Sequence, residues 1–92
     1  VPDIQTHIGF REPVEAAEGA FRVINSLQDL PPANQVIALT AAFYLVTDAL
    51  GIDRSQALHT LARMDRDIAY QNEDTFNVVR DYARGEIEKK YL

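Results

Sequence analysis

Apolar residues recur at three- and four-residue spacing through most of this chain, and a strict apolar–polar alternation is sustained nowhere. Val14, Ala17, Phe21 and Ile24 form the first stripe, widened by Ala20, Val23 and Leu27, and predict an amphipathic helix over 13–28. Glu12-Pro13 suits its start, because the N–H that proline lacks has no partner in a first helical turn. Pro31 and Pro32 mark its end, since a residue before proline is pushed out of the α region. A second helix is predicted over 33–50, with Gly51 as a left-handed cap. A third, over 54–70, opens on Asp53 as N-cap, with Gln56 completing a capping box and Ile52 preceding it. Ala57, Leu58, Leu61, Met64 and Ile68 form its apolar face. Arg54, Ser55, Gln56, His59, Arg63 and Arg66 lie mostly on the opposite face. Phe76, Val79, Ala83 and Ile87 predict a fourth helix over 73–90, with Glu73 and Asp74 in its first turn and Lys89 and Lys90 at its end, the signs each terminus prefers. Residues 1–11 show no period and contain Pro2 and Gly9, which predicts an irregular N-terminal arm. The expected fold is all-α: one domain over 1–92, a compact bundle of four helices.

The second helix breaks the amphipathic rule. Residues 36–46 are apolar except for Thr40, and the helix offers eight large side chains: Val36, Ile37, Leu39, Phe43, Tyr44, Leu45, Val46 and Leu50. A helix apolar almost all round must be covered on most sides. Either the other three helices wrap it, or part of its surface is an interface to a second copy or another protein. The two are compatible, because a bundle this small gains core by dimerising. Phe21, Phe43 and Tyr44 are the candidate interface residues. The run falls short of the ~20 residues a bilayer-spanning helix needs. No membrane association is expected.

With 92 residues, 47% hydrophobic and 25% charged, the composition is that of a globular domain and not a disordered chain. The absence of cysteine excludes disulfides and thiolate metal sites. No targeting or lipidation signal is evident, so a cytoplasmic location is expected.

Little in the sequence suggests catalysis. The two histidines, His7 and His59, fall in the arm and on the polar face of the third helix. Gln56 stands three residues before His59, where a di-iron bundle would need a carboxylate. Neither a His-Glu-x-x-His helix nor a phosphate loop occurs. Asp65-Arg66-Asp67 begins like a calcium loop, but Ala69 and Tyr70 stand where a ligand and a glycine are needed. Ser55 and His59 have the spacing of a helical surface pair, with no acidic group to orient them. No metal, cofactor or enzymatic activity is expected.

The corner at Gly51, between the second and third helices, resembles a helix-turn-helix, with Val46, Leu50 and Ile52 as its apolar flanks. Arg54, Gln56, His59, Thr60 and Arg63 would then face a major groove. The register is poor: Leu58 and Leu61 stand one step from the positions the second helix should fill. A net charge of −5 opposes phosphate binding, although −4 of it falls in the first fifty residues and leaves the second half nearly neutral. The leading expectation is therefore a non-catalytic protein-binding module that forms a homodimer: a small adaptor, assembly factor or inhibitor. Small acidic domains of this kind suit phage and mobile-element genomes. The alternative is a DNA-binding regulator that uses 54–66.

Overall fold

Asp3 opens the first helix, α1 (Ile4–Gly9), by accepting hydrogen bonds from the backbone N–H and the hydroxyl of Thr6. The expectation of an irregular arm over 1–11 is therefore corrected, because a side-chain cap makes this short turn helical despite its lack of period. The structure, a computed structural model, describes residues 3–70 and 75–91. The described residues form five helices and no strand: α1, α2 (Pro13–Ser26), α3 (Pro32–Leu50), α4 (Arg54–Tyr70) and α5 (Thr75–Tyr91). The all-α expectation holds, with five helices in place of four. The expected start of the last helix, at Glu73 and Asp74, lies outside the described residues, as do the side chains of Ile68, Ile87, Lys89 and Lys90.

Local chemistry explains the boundaries. At the start of α2 the Glu12 N–H donates to Glu15 Oε1 at 3.0 Å, closing the first turn ahead of Pro13. Gly51 ends α3 at φ 68°, ψ 33°. There the N–H of Ile52 donates to the Thr47 carbonyl at 2.9 Å and that of Gly51 to the Asp48 carbonyl at 3.2 Å. This is a Schellman motif, and Ile52 is buried beside it. The capping box expected at α4 forms in half. Asp53 Oδ1 accepts from the Gln56 N–H, but the Asp53 N–H donates to Gln5 Oε1, at 2.7 Å, on α1.

The substantial packing contacts join α2 to α5, α1 to α4, α2 to α4 and α4 to α5. In the α2–α5 seam Phe21 and Tyr82 meet with ring centres 4.6 Å apart, and the Tyr82 hydroxyl donates to Asn25 Oδ1 at 2.9 Å. Arg80 bridges α5 to α4, donating to both carboxylate oxygens of Asp65 at 2.9 and 3.0 Å. Among the described residues the buried apolar side chains are Ala17 and Ile52 alone.

Helix α3 takes no part in those contacts. It is not wrapped by its neighbours, contrary to the first of the two expectations for it. The molecule measures 43 × 33 × 18 Å, so its shortest dimension is about two helix diameters. Its accessible surface is 6884 Å², whereas a folded monomer of 10.3 kDa exposes about 5,400 Å².

Candidate functional site

Helix α3 is inside-out. Val36, Ile37 and Leu45 are 67%, 66% and 63% exposed, and Leu39, Tyr44, Val46 and Leu50 are exposed with them. The buried residues of α3 are instead polar, Gln35 at 9% and Thr47 at 6%. Both are satisfied. The Gln35 amide donates from Nε2 to the Leu30 carbonyl at 2.9 Å, folding back over the loop that enters the helix. The Thr47 hydroxyl lies 2.7 Å from the Phe43 carbonyl and accepts from Arg54 Nε at 2.8 Å. The helix is thus fixed at its two ends by polar side chains, while its apolar length is left to solvent. At its start Pro31 is extended, φ −59° and ψ 155°, the conformation favoured for a residue before proline.

Residues from separate elements converge at the far corner. The Arg54 guanidinium lies 3.9 Å from the centre of the Tyr44 ring, donates from Nη2 to the Tyr44 carbonyl at 3.3 Å, and stands 3.8 Å from Asp48. Arg54 is therefore committed to the α3–α4 corner and not to the outer face on which the DNA-binding reading placed it. Gln56 and His59 are exposed and, with Ser55 and Thr60, line a shallow hollow. Arg63 and Arg66 are exposed on the same helix. Of the apolar flanks in that reading, Ile52 is buried, but Val46 and Leu50 are exposed and do not pack under α4.

The three candidate interface residues separate. Tyr44 is exposed on α3 beneath Arg54, Phe43 is half-buried on the same helix, and Phe21 turns towards Tyr82 in the α2–α5 seam. Periodicity did not single out Gln5, Thr47 or Tyr82 as tertiary partners, because each acts through specific polar or ring contacts with another element, which apolar spacing does not register.

A second apolar feature lies on the bundle. Ala16, Ala20, Leu58, Ala62, Val79 and Ala83 line an open groove of about 640 Å³ between α2, α4 and α5, bordered by the Asp65–Arg80 pair. No α3 residue lines it. No group of three or more acidic or histidine side chains among the described residues is placed to hold a metal ion.

The membrane expectation needs one correction. The sequence run 36–46 is short, but the helix it nucleates, Pro32–Leu50, has a mean hydropathy of 1.3 and is long and apolar enough to cross a bilayer by length and composition. In the folded chain a charged side chain lies against its last turns. Arg54 carries a charge to Tyr44, six residues inside the helix end, or about 9 Å at 1.5 Å per residue. The uncharged remainder, 32–43, then spans roughly 18 Å against a hydrocarbon core of about 30 Å.

Comparison with protein-family models, curated proteins and solved structures finds no match to this chain.

Proposed function

We propose that this chain is a non-catalytic protein-binding module whose contact surface is α3, and that it self-associates through that helix. The observation that carries the reading is the inversion on α3, where Val36, Ile37 and Leu45 face solvent while Gln35 and Thr47 are buried. Each large apolar side chain left exposed forfeits about 1–2 kcal/mol of the ~1.5–3 kcal/mol that full burial supplies. Seven such residues exposed on one helix are an apolar surplus of the kind that marks an interaction site. An adaptor, an assembly factor and an inhibitor all use such a surface in the same way, by burying it against a protein.

Light scattering of the pure chain from micromolar to millimolar concentration tests the reading. A dimer is expected, and Ile37→Lys with Leu45→Lys should dissociate it. A monomer throughout the range would remove the self-association. A second reading, membrane insertion of α3, draws on its hydropathy and length. Flotation with neutral phospholipid vesicles separates the two: the protein should stay in the dense fraction, and co-flotation would favour insertion.

A further inference from the structure

We propose that the groove between α2, α4 and α5 is the seat for α3 of a second copy of this chain, so that two copies exchange the helix reciprocally. The seat presupposes that α3 is a binding helix, and adds where it lands and on whom. Shape is the first argument. Ala16, Ala20, Ala62 and Ala83 let a helix axis come close to a groove otherwise lined by larger apolar residues such as Leu58 and Phe76, and α3 offers Ile37, Leu45 and their neighbours to it. Each protomer thus holds an empty apolar groove and an uncovered apolar helix, and its own α3 does not fill its own groove.

Charge and area point to a copy of the same chain. The protein carries −5 overall, yet Asp48 is the one charged residue of α3, and Arg54 stands 3.8 Å from it. Two acidic copies therefore meet through this helix without opposing like charges. The surface exposed beyond that of a folded monomer is about 1,500 Å² per chain. Two chains covering it would bury about 3,000 Å² in total, within the 2,000–5,000 Å² of obligate homodimers and above the roughly 1,600 Å² total of a standard interface. Reciprocal exchange also closes on itself. One α3 placed in the next copy's groove without return would instead propagate a filament.

The test blocks each half of the exchange separately. Ala20→Trp with Ala62→Trp fills the groove at two exposed alanines, and Ile37→Lys with Leu45→Lys removes the apolar surface of α3. Circular dichroism checks helicity, and Ala20→Leu with Ala62→Leu serves if the tryptophan pair unfolds. By sedimentation velocity the unaltered chain should be dimeric and each double variant at least ~100-fold weaker in association. An equimolar mixture of the two variants should recover a heterodimer, because one open groove meets one intact α3. A groove-filled variant that dimerises normally, or a mixture that stays monomeric, overturns the reciprocal seat; where the lysine variant alone fails to dimerise, α3 still stands as the binding helix. An unaltered chain that is monomeric at every concentration overturns both.

Discussion

The Arg54 guanidinium packs over the Tyr44 ring, 3.9 Å from its centre, and so ties α4 to α3 across the corner that Gly51 turns. Its Nε also donates to Thr47 Oγ1 at 2.8 Å and its Nη2 to the Tyr44 carbonyl at 3.3 Å. Thr47 is buried, so the arginine gives that hydroxyl a partner from across the turn. A residue expected to face a ligand is a structural tie.

Arg54→Ala should therefore lower stability by about 1–2 kcal/mol, from the lost cation–π contact and charged hydrogen bonds. Arg54→Lys should restore little of it, because an ammonium cannot reproduce the planar fork. Thr47→Val should cost a similar amount, and the double variant less than the sum, with a coupling of about 1 kcal/mol. Urea denaturation of the four proteins measures this, and strict additivity would show that the pair is not a unit.

Gly51→Ala should destabilise the protein by about 1–2 kcal/mol, the cost of a left-handed conformation for a residue with a Cβ. Gly51 sits at φ 68°, and an added Cβ meets nothing within 4 Å. The cost is thus conformational and not steric, so Gly51→Asn should lose less than Gly51→Ala. Equal melting temperatures for the two variants would contradict this.

Gln5→Ala should loosen the tie between α1 and the α3–α4 corner. Its Oε1 accepts from the Asp53 N–H at 2.7 Å, across forty-eight residues of chain. Loss of about 1 kcal/mol of hydrogen bonding corresponds to a several-fold faster amide exchange at Asp53. Gln5→Glu keeps an acceptor and should keep the protection. Unchanged exchange in Gln5→Ala would mean that α1 is held by other contacts.

The Asp3 carboxyl should titrate below its ordinary value of 3.8, because the Thr6 hydroxyl and then the Thr6 N–H donate to its ionised form. A depressed folded value means that the cap contributes fully above 3.8 and is lost as the pH falls through the depressed value. The amide shift of Thr6, followed by NMR against pH, should report that midpoint and lose its titration in Asp3→Asn. A midpoint at or above 3.8 would remove the cap from the account of α1.

Much of this architecture is written in local chemistry. The stripe through Val14, Ala17, Phe21 and Ile24 makes α2, and α4 runs over the predicted 54–70. Gly51 ends α3 for the reason its sequence position suggests, since a glycine after an apolar helix is free to turn left-handed. Even the difficulty of α3 was legible, because eight large apolar side chains on one helix ask for more cover than a small chain supplies. Signals of this kind need only the residue and its neighbours within a turn or two.

Tertiary structure decided what periodicity cannot express. A pattern of threes and fours gives a helix its apolar direction, but α3 is apolar in almost every direction and so has none. Its orientation was settled instead by single polar contacts at its ends, Gln35 to Leu30 and Arg54 to Thr47 and Tyr44. The same holds for α1, whose six residues are too few to show a period and are fixed by the Asp3 cap and the Gln5–Asp53 hydrogen bond. The sequence by itself determined that this protein is helical and that one of its helices is apolar on almost every side. Only the folded chain decided that the surplus lies on α3, because polar contacts across the turns at its two ends hold Gln35 and Thr47 inward and leave its apolar residues to solvent.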